Sequence, residues 1–160
     1  MIIKNYDRIK AVNYARSWAL SRNPIYYNFD KLGGDCTNFV SQCLFNGSNI
    51  MNYNYNTGWY YISLNKRSPS WTGVEFLYNF LINNKDTGPF GALVSKDKIN
   101  IGDIVQLGDN KNNYYHAAIV SNIINEQIYV CSHTVDSKDR PLNSYTYFNI
   151  RLIHIGGIRN

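Results

Sequence analysis

A cysteine with the surroundings of a nucleophile lies in the segment Gly33-Gly34-Asp35-Cys36-Thr37-Asn38-Phe39-Val40-Ser41. Glycines accept backbone angles that other residues resist, so the Gly33-Gly34 pair permits a sharp turn into the next element. Asp35 suits a helix N-cap, with a carboxylate able to accept hydrogen bonds from the first free amides. Phe39, Val40, Cys43 and Leu44 then recur at helical spacing, and Gly47 offers a stop. The first turn of this helix would hold Cys36, where free amides and the helix dipole favour a thiolate, the form that attacks. The plainer use of such a residue is as a small buried side chain.

A cysteine nucleophile needs a base to take its proton and to deliver one to the leaving group. Three histidines are available, His116, His133 and His154. With Asn125-Glu126 as a two-residue hairpin loop, His116 faces Val135 and His133 faces Ala118. His116 and His133 then emerge on one side of the sheet as diagonal neighbours, about 7 Å apart. A base on one strand and an orienting group on the next is what a nucleophile–base–orienter triad requires. The same register sends Asp136 to the opposite face. His154, amid Leu152, Ile153 and Ile155, has no local partner and reads as structural. Cys36, His116 and His133 are also competent zinc ligands. The short Cys-x-x-Cys and His-Glu-x-x-His spacings are absent, however, so no metal or other cofactor is expected.

The elements that must carry these groups fall in two halves. A first helix is expected from Arg8 to Ser21, capped by Asp7 and ended by Asn23-Pro24, and the Cys36 helix comes next. From Asn46 to Pro69 no period is convincing; the aromatic-rich stretch through Asn52-Tyr53-Asn54-Tyr55-Asn56 and Gly58-Trp59-Tyr60-Tyr61 either covers the core or lines a groove. Ser70 can cap a third helix to Asn84, and Asn83 to Gly91 reads as a turn region. Asp103–Leu107, Tyr114–Ile123, Gln127–Val135 and Tyr147–Ile155 are rich in Ile, Val and Tyr, with polar turns at Asp109–Asn113 and Ser137–Asn143. Helices first and strands afterwards imply an α+β fold with an antiparallel sheet.

At 160 residues the chain fits a single domain, 1–160, with a real core. No apolar run is long enough for a transmembrane helix, so membrane insertion is not expected. The start, Met1-Ile2-Ile3-Lys4-Asn5, lacks the features of a secretory signal, which is compatible with a cytoplasmic protein or with a domain of a longer secreted one. The net charge of +5 is scattered, which gives no nucleic-acid footprint. Cys36 and Cys43 sit roughly 10 Å apart along one helix, too far for a disulfide. Cys43 with Cys131 is geometrically open, but free thiols and a monomer are the simpler expectation.

Taken together, Gly34 to Ser41, Ile101-Gly102-Asp103-Ile104-Val105-Gln106-Leu107 and Tyr115-His116-Ala117-Ala118-Ile119-Val120 resemble the putative amidase domain family. Tyr6-Asp7-Arg8, Trp18-Ala19, Asn23-Pro24, Ser68 to Gly73, Ser132-His133-Thr134 and Arg140-Pro141-Leu142 extend the likeness over nearly the whole chain. The resemblance implies a papain-like cysteine hydrolase, grouped with the NlpC-type cell-wall endopeptidases, that cuts an amide or peptide bond in peptidoglycan-derived peptides. Cys36 matches its nucleophile, His116 its base, and His133 the third polar position. Relatives often carry a tyrosine upstream near the oxyanion site, for which Tyr26 and Tyr27 are candidates. Tyr27 and Asp35 are taken as supporting residues. The alternatives are a catalytically silent wall- or peptide-binding module, or an acyltransferase using the same pair.

Overall fold

A computed structural model describes residues 1–160. After a short strand β1 (Ile3–Lys4), helix α1 (Arg8–Trp18) begins where Asp7 accepts the Lys10 N–H at 3.0 Å, as its sequence position suggests. It buries Ala11, Val12 and Ala15 and stops three residues short of Ser21. The Trp18 carbonyl there accepts from Ser21 N–H at 3.2 Å and from His133 at 2.7 Å, which closes the last turn early.

Helix α2 (Cys36–Ser48) is the buried axis of the molecule, with polar Thr37, Asn38, Ser41 and Gln42 inside along with its apolar residues. Gly47 does not stop it. An added Cβ there would lie 2.3 Å from the Tyr6 ring, so this glycine permits close packing, and the stop falls to Asn49 in the left-handed region at φ 53°. The expected third helix is two. Helix α3 (Pro69–Thr72) and helix α4 (Val74–Asn83) are separated at Gly73, and Ser70 lies inside α3, donating to the Gly58 carbonyl at 2.6 Å. The segment before them forms a small hairpin, β2 (Tyr61–Ser63) with β3 (Lys66–Arg67). Of its aromatics, Trp59 covers the core, fully buried against Trp71, while Tyr53 and Tyr55 are exposed.

The remaining strands are β4 (Gly88–Leu93), β5 (Ile104–Gly108), β6 (Tyr114–Ile124), β7 (Gln127–Ser132), β8 (Ser137–Pro141) and β9 (Asn149–Arg159). They build an antiparallel sheet in the order β1-β9-β5-β6-β7-β8, with β4 also on β9. The expected α+β class holds. Two strands fall where turns are expected. β4 starts inside Asn83–Gly91, and β8 occupies Ser-Lys-Asp-Arg-Pro, a sequence with no strand pattern that is drawn into the sheet by the free edge of β7. Alternation along β6 divides the core. Ala117 and Ile119 face α1, α2 and α4 in the larger cluster, while Ala118 and Val120 face a smaller one with Val105, Leu107, Val130 and Leu142.

One buried carboxylate ties the two halves together. Asp103 accepts from Arg8 at 2.6 Å, from the Asn100 and Ile155 amides at 2.8 and 2.9 Å, and pairs with His154 Nδ1 at 2.8 Å. His154 is therefore structural, as expected, but it does have a partner. Asp103→Ala would leave the Arg8 guanidinium without its counter-charge, held only by the Ile101 and Ile155 carbonyls, and two amides unmatched. A loss of about 3–5 kcal/mol in urea unfolding is expected, and an unchanged midpoint would show that the network does not hold the fold.

Candidate active site

The site forms where β7 leaves β6. The Val120 N–H donates to the Asp103 carbonyl at 2.8 Å, so even-numbered amides of β6 point to the β5 side and that of Ala117 points to the β7 side. The last β6–β7 pair is Ile119 with Cys131, after which the chain turns away. The Ala117 amide is thus without a strand partner and lies close to the Cys36 sulfur, where it and the Thr37 amide favour the charged form, with Thr37 Oγ1 at 3.8 Å. Helix α2, through its first residue, brings the thiol to the strand position next to His116.

Cys36 and His116 share this locality without being hydrogen-bonded to each other. His116 leaves the strand on the face of Ala118 and Val120, where its ring lies 5.7 Å from that of Tyr145. Its Nε2 is buried and has no hydrogen-bond partner. Both groups are neutral. Burial pushes the Cys36 thiol up, against the pull of the two amides. Burial and the charge of Arg140 push His116 down to about 4. The expected thiolate is therefore not the resting form: the helix N-terminus favours it, but burial outweighs that pull.

The structure places His133 elsewhere than the register predicts. The hairpin loop does have two residues, Asn125 and Glu126, both at positive φ. A bulge between Val120 and Asn122 then shifts the pairing by one, so continuing it sets Ser132, not His133, opposite Ala118. Ser132 Oγ meets the Tyr145 hydroxyl at 3.0 Å on the His116 side. His133 is buried instead among α1, α2 and the Asp35 turn. Its Nε2 donates to the Trp18 carbonyl at 2.7 Å, its Nδ1 faces Asp35 Oδ2 at 2.5 Å, and its ring stacks on Phe39 at 4.0 Å. With both nitrogens engaged there, it makes no hydrogen bond to His116.

Asp35 occupies the N-cap position, but its carboxylate caps no helix amide. Oδ1 accepts from Phe29 N–H at 2.8 Å and Asn38 Nδ2 at 2.9 Å, and Oδ2 takes His133, with Arg22 Nε at 3.5 Å. Because a carbonyl can only accept, His133 Nε2 carries a hydrogen, and one further proton lies between Nδ1 and Oδ2. Arg22 also binds Asp30 and Asp136, so Asp136 is an anchor of this turn and lies away from His116. The support assigned to Asp35 is thus mechanical: it locks the start of α2 to the end of β7.

Of the two tyrosines, Tyr26 packs on Trp71 and Tyr61 in the core. Tyr27 is about half-exposed, its carbonyl accepts from Asn38 Nδ2 at 3.0 Å, and its hydroxyl makes no hydrogen bond. Tyr145, Arg140 and Ser132 are neighbours of His116 that sequence reasoning misses, because no residue type marks the bulge that brings Ser132 round. No group of three or more His, Cys, Asp or Glu is disposed to hold a metal, all three cysteines are free, and no helix is long and apolar enough to cross a membrane. A cavity of about 530 Å³ is lined by Asn52, Phe76, Asn79 and neighbours, apart from Cys36, which is only 8% exposed.

The family model described as the putative amidase domain matches residues 5–155, so the chain belongs to that family, whose description points to hydrolysis of amide bonds. The chain is similar to uncharacterized protein YhbB of Bacillus subtilis (strain 168), 32% identical over 140 residues covering 84% of this chain and 43% of that protein. The chain therefore spans less than half the length of this curated relative. No solved structure matches it.

This geometry has two measurable consequences. The His116 ring should titrate near pH 4 by NMR, well below the usual value of about 6.5 for a free histidine. It then remains a neutral base throughout the range above about 5, and a midpoint near 6.5 would contradict its enclosure. In the turn after His133, Thr134 and Val135 both hold positive φ, 63° and 56°, an uncommon conformation for β-branched residues. Val135 is 77% exposed and gains no packing in return. Val135→Gly should stabilise by about 1 kcal/mol and raise Tm by about 2–4 °C in calorimetry; a lower Tm would show that this turn is not strained.

Proposed function

We propose that this chain cleaves an amide bond by cysteine chemistry, with Cys36 as nucleophile and His116 as base, in the manner of the papain-like and NlpC-type hydrolases. The single observation behind the reading is the Cys36 sulfur at the Ala117 amide, one residue from a buried imidazole whose Nε2 has no partner. A neutral imidazole with an unpartnered Nε2 is a competent resting base for a neutral thiol, because it is free to accept. As substrate enters and the thiol turns toward His116, the S–H proton passes to the imidazole and Sγ attacks the carbonyl carbon. The Cys36 backbone amide, at the open end of α2, is placed to donate to the developing oxyanion. The His116 imidazolium then protonates the departing amine, leaving a thioester, and water activated by the same imidazole releases the acid. Hydrogen bonds are commonly long in an empty site and tighten with substrate.

The substrate class in this reading is a peptide of the bacterial wall, by analogy with the NlpC-type enzymes. His133 has no step of its own: through Asp35 it holds the start of α2 in place. Tyr27 stands beside the Asn38 turn as a flank of the site, its carbonyl held by Asn38 Nδ2. Hydrolysis and transfer to an amine acceptor share every step up to the thioester.

The low exposure of Cys36 favours one competing reading, a catalytically silent module that binds peptide or glycan. Incubation with purified wall fragments, followed by mass spectrometry, separates the two. Wild-type protein should generate one new amine and one new carboxylate per bond cut, and Cys36→Ala should lower the rate by at least about 10³-fold while the fold persists. Equal rates in the variant would remove the nucleophile assignment. Retention of fragments without cleavage by wild type would assign the binding module.

A further inference from the structure

Four of the seven arginines are committed to carboxylates, Arg8 to Asp103, Arg16 to Asp139, Arg22 to Asp30 and Asp136, and Arg151 to Glu75, while Arg67 and Arg159 lie over Phe29 and Phe90, away from His116. Arg140, on β8, pairs with no carboxylate. Its guanidinium lies over the Tyr145 ring at 3.7 Å, and its Nε and Nη2 donate to Ser144 Oγ at 2.8 Å and Ser144 O at 3.1 Å. Nη1 makes no hydrogen bond. The neighbouring carboxylate, Asp139, is turned to Arg16 at 3.1 Å. The platform beneath Arg140 is itself fixed, because the Tyr145 hydroxyl meets Ser132 Oγ at 3.0 Å and its ring flanks His116.

We propose that Arg140 is the specificity-determining residue of the Cys36 site, held on Tyr145 to receive a carboxylate carried by the substrate near the bond that is cut. A guanidinium locked by stacking and by its own turn loses little freedom on binding an anion, and the planar fork suits a carboxylate. Such a charge would be costly to leave unmatched in a site closed over neutral substrate, and the fold has carboxylates within reach in sequence that it sends elsewhere. The effect of Arg140 on the His116 imidazole agrees with its nearness to the reacting groups. The inference rests on Cys36 being the nucleophile, and it narrows the substrate to peptides with an acidic side chain or a free chain end beside the scissile amide.

Alkylation of Cys36 tests it without an identified substrate. Iodoacetate and iodoacetamide differ in charge and little in size, so the ratio of their rates at Cys36, read by peptide mass spectrometry, reports the local charge. Arg140→Gln should lower that ratio about fivefold at low salt, Arg140→Lys should keep most of it, and about 1 M salt should reduce the preference of the wild type. A ratio unchanged in Arg140→Gln, with the variant melting as wild type does, overturns the proposal. Protection of Cys36 from iodoacetamide by N-acetylglycine assigns a chain-end carboxylate, and protection by N-acetylglutamic acid α-amide a side-chain one; protection by neither overturns it. Failure of the hydrolase reading is separable. An Arg140-dependent ratio in a protein that cuts no wall fragment would keep the anion site, whereas turnover with an Arg140-independent ratio would remove the anion site alone.

Discussion

The contact between Asp35 and His133, at 2.5 Å and almost wholly out of water, is the constraint on which the site depends. It joins the residue before the thiol to the turn after β7, and through Nε2 it adds the end of α1. Three elements distant in sequence are thereby held at one point. A buried pair of this kind is weak evidence for stability, since its desolvation offsets much of its attraction. Its value here is positional. With Phe29 and Asn38 donating to Oδ1 and the Arg22 charge 3.5 Å from Oδ2, the start of α2 is fixed, and that place puts Cys36 close to the open amide of Ala117.

The second constraint is the departure of β7 from the sheet. A strand that continued to pair would have taken the Ala117 amide and closed the edge close to which the sulfur lies. The bulge near Ser121 and the tight turn at Thr134-Val135 together produce that departure. The turn holds two β-branched residues in the left-handed region, and it also supplies Thr134 Oγ1 to the Asp35 amide at 3.3 Å. Strain and site are thus adjacent, with the Asp35–His133 contact next to the turn.

The helices-then-strands order, the Asp7 cap and the Asn125-Glu126 hairpin are all legible in the sequence, because each has a local cause. The Cys36 helix is legible from the glycine pair, the acidic residue before it and the helical spacing of Phe39, Val40, Cys43 and Leu44. Inferences that need long-range knowledge fail. His133 pairs with His116 only on a register that one bulged residue reverses, and no residue type announces that bulge. Asp35 would ordinarily serve the helix amides, the usual partners of an N-cap, whereas a histidine almost a hundred positions away competes for the same carboxylate. The thiolate expected at a helix start gives way to burial, which only the folded packing determines. β8 carries no strand pattern because the edge of β7 supplies its order.

In the proposed mechanism, amide cleavage turns on a covalent step at the Cys36 sulfur. Rapid acid quenching of wild-type protein during incubation with wall fragments, with intact-mass and peptide analysis of the product, examines that step directly. A transient acyl adduct is predicted on the peptide containing Cys36, discharged by hydroxylamine and absent when His116 is replaced by alanine. Cleavage that continues with no adduct at any time, or with the acyl group on Cys43 or Cys131, would contradict it.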